Sequence, residues 1–312
     1  MLRAHREIWQ PRVVRKCKTF RKILLAMEAN LIYDVGMNNG DDTAYYLSRG
    51  FRVLAIEANP VFVEQCLRRF KREIGAGMLS ILNIGVSDSE GTCPFWICDE
   101  HPEWSSFDRC IASRDNSNHH QITVCCRRFQ SILREFGNPY YLKLDIEGNE
   151  ICCLRDLPAS DLPKYVSFEK TDTWATDSLT LLNDLGYTGF KLISQANYLA
   201  LQYPATPEER AYERAQRVLL SRNLLLRVAR RAGMRRWLER RVNRTRSRHG
   251  WIFPQGSSGP FGEDLLGKWQ SYREITETLA VANSARIAKT QSVFWAEEDY
   301  SFWADFHARR EE

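Results

Sequence analysis

Ten residues, Asp34-Val35-Gly36-Met37-Asn38-Asn39-Gly40-Asp41-Asp42-Thr43, stand between an aliphatic run and a segment of helical character. Glycines at such a strand-to-helix junction let the backbone approach a ligand, and the free N–H groups of the helix start favour an anionic group. The spacing selects among ligands. A dinucleotide turn needs G-x-G-x-x-G, whereas position 38 is Asn between Gly36 and Gly40. A triphosphate loop needs Gly-Lys followed by Ser or Thr, but Gly40 precedes Asp41 and Asp42, which repel phosphate. A calcium loop beginning at Asp34 would place Gly36 at a ligand position and Tyr45 where its closing Glu belongs. A zwitterionic or cationic nucleoside remains. Glu57 suits it, because an acid at the end of the next strand can accept hydrogen bonds from both ribose hydroxyls.

The surrounding pattern supplies the elements that must hold these residues. Short aliphatic runs alternate with helical ones from Leu31 onward, predicting an α/β sheet with parallel strands. The strands expected are Leu31–Val35, Arg52–Glu57, Leu79–Val86, Tyr140–Asp145 and Tyr165–Glu169, then a terminal antiparallel hairpin from Phe190–Ser194 and Tyr198–Gln202. Thr92–Cys98 adds a strand or extension. Asn59 and Pro60 are a cap and first-turn pair for a helix whose apolar face carries Val63, Cys66, Leu67, Phe70 and Ile74. The polar stretch from Asp99 to Gln121, with Trp104, His101, His119 and His120, is too long for an ordinary connection and reads as a substrate cover.

The 312 residues are 44% hydrophobic and 27% charged, a globular balance. The net charge of +5 averages unlike regions. Residues 1–22 carry eight basic residues and one acid, and 208–249 carry fourteen arginines and four acids, leaving 22 basic and 34 acidic residues elsewhere. The organisation expected is a basic helical segment 1–30, a sheet domain 31–205, an arginine-rich helical segment 206–250 and a flexible loop (256–262) with C-terminal helices over 251–312. No run approaches the ~20 apolar residues that cross a bilayer, and the first residues lack a secretory apolar core, so a cytoplasmic protein is expected. Nine cysteines without zinc spacing predict reduced thiols.

Four motifs in order carry a family resemblance: Asp34-Val35-Gly36-Met37-Asn38-Asn39-Gly40; Ile56-Glu57-Ala58-Asn59-Pro60; Gly85-Val86-Ser87-Asp88 with Glu90-Gly91; and Leu142-Lys143-Leu144-Asp145-Ile146-Glu147-Gly148-Asn149-Glu150. Over about residues 31–202 the chain resembles the FkbM-type family of class I methyltransferases that use S-adenosylmethionine. The resemblance implies a Rossmann-like, seven-stranded, mostly parallel sheet in the order 3-2-1-4-5-7-6, flanked by helices. It places the methionyl part of the cofactor against Asp34, Gly36, Asn38 and Gly40, the ribose on Glu57 and the adenine near Val86, Ser87 and Asp88.

Methyl transfer to a hydroxyl requires alignment, exclusion of water and a destination for one proton. Asp145 is expected to orient the cofactor amine or act as base, and Glu147 or Glu169 to bind or deprotonate the acceptor. Glu147 and Glu150 also read as acids at a helix N-terminus, worth roughly 0.3–1 kcal/mol. Asp145, Glu147 and Glu169 form an oxygen set that magnesium could use, which spacing does not decide, so no metal ligand is assigned. The function expected is O-methylation of a sugar, glycan precursor or secondary metabolite. An RNA methyltransferase using the arginine-rich segment, or an inactive scaffold holding a partner there, are the alternatives. The catalytic acids and the lack of an aromatic stacking platform disfavour nucleic acid, and oligomeric state is not readable from the sequence.

Overall fold

The computed structural model describes residues 30–170, 175–195, 198–205, 247–254, 256–287 and 303–311, with positions 207, 210, 211 and 214. The basic segment expected at 1–30, apart from Asn30, and most of the arginine-rich segment 206–250 lie outside the described residues.

The chain runs β1 (Leu31–Val35), α1 (Asp41–Ser48), β2 (Arg52–Glu57), α2 (Pro60–Arg69), β3 (Leu79–Asn83), β4 (Gly85–Val86), β5 (Gly91–Cys98), β6 (His119–Arg127) and α3 (Phe129–Phe136). It continues through β7 (Tyr141–Leu144), α4 (Glu150–Arg155), β8 (Tyr165–Glu169), α5 (Ala175–Asp184), β9 (Gly189–Ser194) and β10 (Ala200–Leu201). A two-stranded ribbon, β11 (Ser247–Arg248) with β12 (Trp251–Ile252), precedes α6 (Tyr272–Ile287) and β13 (Ala304–Arg309). The α2 start forms as its sequence predicts: the Asn59 side chain accepts from the Val61 N–H at 3.0 Å and Pro60 opens the helix. Leu67 departs from the predicted apolar face and is exposed.

Among the described residues the main sheet has eight strands in the order β10-β9-β13-β8-β7-β1-β2-β3, not the seven expected. Five neighbours, β8-β7-β1-β2-β3, are parallel. The predicted hairpin exists, β10 lying antiparallel to β9, but it does not end the sheet. The C-terminal strand β13 inserts between β8 and β9, antiparallel to both. The sheet therefore extends beyond residue 205, and the C-terminal region is not purely helical. Ala304, Phe306 and Ala308 face one side of the sheet and Asp305 and His307 the other, a period of two that marks a strand buried on both faces. The stretch 79–86 is also not one strand, since β4 leaves the main sheet and pairs with β6, which in turn pairs with β5.

Alternation puts different residues on the two faces. Tyr33, Val35, Leu142, Leu144, Val166 and Phe168 meet α3, α4, α5 and α6 in the larger core. Ile32, Val53, Ala55, Tyr141 and Tyr165 face α1 and the loop around 253–265. Burying each large side chain stabilises the fold by roughly 1.5–3 kcal/mol. That loop is not the flexible connection expected. Ser257 and Ser258 are buried, and the Phe261 ring stacks on Tyr141 with centroids 4.1 Å apart.

The second face also carries a polar row. Asp34, Lys143, Ser167, His307 and Lys191 are register partners across β1, β7, β8, β13 and β9, and none is more than 2% exposed. Buried charge at this density requires pairing.

Candidate functional site

β1 ends at Val35, and the chain turns at Gly36 with φ +86°. A Cβ there would collide with the carbonyl oxygen of Asp145, so only glycine lets the turn pass the end of β7. The Gly36 and Met37 N–H groups donate to the Ile56 carbonyl at 2.9 and 3.1 Å, which ties the turn to β2. Asn38 has φ +51° and donates its N–H to Glu57 Oε2 at 2.8 Å. The other oxygen, Oε1, accepts from the Asn59 N–H at 2.8 Å. Each carboxylate oxygen keeps a further lone pair. Burial pushes the Glu57 carboxyl up, and the two N–H bonds act against it. Gly40, at φ +81°, lies close under the Phe70 ring before Asp41 opens α1.

Beneath the turn, Lys143 is a buried hub. Its ammonium donates to the Gly36 carbonyl at 3.0 Å and lies 3.1 Å from Asp34 Oδ1, 3.4 Å from Asp145 Oδ2 and 3.7 Å from Asp42 Oδ2. Burial alone would push it down, but the Asp34, Asp145 and Asp42 carboxylates hold it well above the ordinary lysine value. Asp34 is fully enclosed, its second oxygen accepting from the Thr43 hydroxyl at 2.6 Å. Asp42 is pushed up by burial and opposed by Lys143; it accepts from the Ser257 hydroxyl and, at 2.9 Å, from the Ser258 N–H. The C-terminal loop is thereby fastened to the hub.

The second group lies beyond β7. Asp145 keeps its side chain 37% exposed while pairing with Lys143. Glu147 takes φ +52°. Glu150 accepts from the Ile146 and Gly148 N–H groups at 3.0 and 3.1 Å, closing the turn at the start of α4. Glu147 Oε2 accepts from Arg114 Nη2 at 2.8 Å. Burial raises this carboxyl to about 8; Arg114 lowers it, while Asp145 and Glu150 add to the rise. Glu169 and Asp305 are direct partners across β8 and β13, and both are held well above the ordinary carboxyl range, chiefly by burial and then by neighbouring acids. Like charges directly opposite on a sheet are unfavourable, which protonation relieves.

The structure thus brings Asp34, Gly36, Asn38, Gly40 and Glu57 into one turn-centred unit, and Lys143 joins it to Asp145. Ser87 is buried and exchanges hydrogen bonds with the Ser89 backbone, while Asp88 is exposed; Asn149 ties this corner to α4 by donating to the Val86 carbonyl at 3.1 Å. Of the loop histidines, His120 lies 2.7 Å from Asp99, His119 is 3.0 Å from Arg109 Nε and His101 stacks on Trp104. Among the described residues no three His, Cys, Asp or Glu side chains form a metal-holding group.

Sequence reasoning missed Lys143, Thr43, Arg114, Asp305 and the Asp42–Ser257 contact. Lys143 had a signal: a lysine between Leu142 and Leu144 in a core strand must find buried partners. Arg114 and Asp305 had none, because each reaches the site from a distant part of the chain.

A parallel sheet whose first strand ends in a glycine turn and whose second ends in an acid holding that turn is an architecture of the doubly wound α/β class. Residues 34–188, about half of the chain, match the Methyltransferase FkbM domain, and the chain belongs to that methyltransferase family. Among solved structures, the methyltransferase FkbM from Methylobacillus flagellatus KT is 18% identical, with 51% of this chain matched to 37% of that one at a TM-score of 0.32. The chain therefore spans well under two thirds of that protein. Precorrin-6y C5,15-methyltransferase from Geobacter metallireducens GS-15 is 12% identical over 60% of this chain and 82% of its own, TM-score 0.29. A TehB-like SAM-dependent methyltransferase from Corynebacterium glutamicum ATCC 13032 Kitasato is 10% identical over 56% and 83%, TM-score 0.30. Likenesses of this size fix neither a substrate nor a residue's role. No curated protein matches the chain. Among the described residues no helix is long and apolar enough to cross a membrane.

Proposed function

We propose that the protein is an S-adenosylmethionine-dependent O-methyltransferase acting on a hydroxyl of a sugar, glycan precursor or secondary metabolite. The observation that carries the reading is Glu57, 9% exposed and fixed by the Asn38 and Asn59 N–H groups at the lip of the Gly36–Gly40 turn. The residues present fit such a cofactor. Glu57 keeps lone pairs for two ribose hydroxyls, and Asp145 adds a partly exposed carboxylate that suits a cationic ligand. Gly36, Asn38 and Gly40 shape the cradle, Asp34 supports it from below through Lys143 and Thr43, and Ser87 and Asp88 are proposed for the adenine side. When bound, the cofactor supplies a methyl group made electrophilic by its sulfonium.

The chain's own residues manage the acceptor. Asp145 is committed to Lys143, so it orients charge. Glu147 is the proposed base. Its carboxyl is raised to about 8, so it gains proton affinity while a fraction stays ionised just below that pH, and Oε1 is left to take the hydroxyl proton while Arg114 holds Oε2. Glu169, held toward its protonated form, is proposed to donate a hydrogen bond that orients the acceptor. Calorimetry with S-adenosylmethionine tests the reading: wild type should bind, and Glu57→Ala should weaken binding at least tenfold. Silence of the folded wild-type protein overturns it.

A further inference from the structure

The segment between β5 and β6 grips the acid turn at three points. The Ser106 hydroxyl donates to the Glu147 carbonyl at 2.7 Å. Ile111 packs against Gly148, where an added Cβ would stand 3.0 Å from its Cδ1. Arg114 Nη2 donates to Glu147 Oε2 at 2.8 Å. The Arg114 guanidinium is itself placed, lying 5.9 Å from the centroid of the Trp104 ring, which stacks on His101 at 4.1 Å. Asp115 and Asn116, which follow it, both have positive φ, so the backbone turns sharply away beyond the arginine.

We infer that Arg114 is a positioning residue for Glu147: it fixes Oε2 by a charge-assisted hydrogen bond and keeps Oε1 as the proton acceptor for the substrate hydroxyl. The inference rests on the base role proposed for Glu147. Its physical ground is the company Glu147 keeps. Asp145 from the end of β7, Glu150 from α4 and Glu169 from β8 all oppose ionisation of Glu147, and Arg114 is the cation bonded to it. An opposite charge at this distance lowers a carboxyl by roughly 1–3 units. The substrate cover suggested by the sequence therefore also supplies the group that sets the base. Arginine suits the task because its planar fork holds one oxygen in a fixed geometry and stays charged at any working pH.

Two measurements on the full chain separate this inference from the function it rests on. The first is isotope-edited infrared titration of the Glu147 carboxyl without cofactor, assigned by subtracting Glu147→Gln. Arg114→Gln should move the midpoint up by about one unit or more, and Arg114→Lys should recover most of the difference. The second is the pH profile of methyl transfer, whose acid limb should move by the same amount, with a loss of about tenfold at pH 7 for Arg114→Gln. An unmoved infrared midpoint overturns the inference even if turnover falls, because the arginine would then be merely structural. A shifted midpoint in a protein that neither binds S-adenosylmethionine nor transfers a methyl group sinks the enzymatic reading while leaving the Arg114–Glu147 coupling in place.

Discussion

The ammonium of Lys143 lies 3.1 Å from the carboxylate of Asp34, both side chains being almost wholly removed from water. The two residues are register partners on the adjacent strands β1 and β7. The pair joins the Gly36–Gly40 turn to the acid-rich turn after β7, because the same ammonium reaches the Gly36 carbonyl, Asp145 and Asp42.

Replacing Lys143 by Met should leave Asp34 and Asp42 as uncompensated buried acids. Removing one partner of a buried ion pair costs about 3–5 kcal/mol, so urea denaturation should show a loss of that size. A loss under about 1 kcal/mol would mean that the carboxylates are already satisfied without the lysine.

Two glycines with similar φ should respond differently to alanine. Gly36, at +86°, meets the Asp145 carbonyl, whereas Gly50, at +82°, has open space around it. Gly50→Ala should cost only backbone strain, about 1–3 kcal/mol. Gly36→Ala adds a collision with backbone and should abolish ligand binding or folding, read by thermal unfolding and calorimetry side by side.

Acid groups with raised folded-state values make stability fall as pH rises. Glu147 is raised to about 8, and Glu57, Asp42, Glu150, Glu169 and Asp305 are also raised, chiefly by burial. Between the ordinary carboxyl range near 4.3 and the folded value, the native state binds more protons than the unfolded chain. Their stabilising contribution is complete below that range and is lost as pH climbs through the folded value. The melting temperature should therefore be higher at pH 5–6 than at pH 9, and Glu147→Gln should flatten the slope near pH 8.

Deleting residues 304–312 should prevent soluble folding. β13 is an interior strand, and its removal exposes the facing edges of β8 and β9. Expression of a chain ending at residue 303 as a soluble, cooperatively melting protein would contradict this.

The C-terminal loop should open when its latch is cut. Ser257→Ala removes one donor to Asp42 and should cost about 1–3 kcal/mol. Hydrogen exchange should accelerate around residues 256–262, while amides of β7 stay protected.

The parallel core, the glycine turn and the strand-end acid at Glu57 were legible in the sequence because each depends on neighbours a few residues away. Aliphatic runs specify strands, glycine specifies positive φ, and Asn59-Pro60 specifies a helix start. The role of Lys143, the eighth strand, the insertion of β13 and the Arg114–Glu147 bond were decided by tertiary structure alone. Lys143 and Asp34 are separated by 109 positions in the chain and Asp305 and Glu169 by 136, yet the sheet register sets each pair side by side. Local pattern carries the geometry of an element and the ligand class it tolerates. Which charges share a buried space depends on how strands are ordered, and it is that sharing which pairs the lysine and raises the acids.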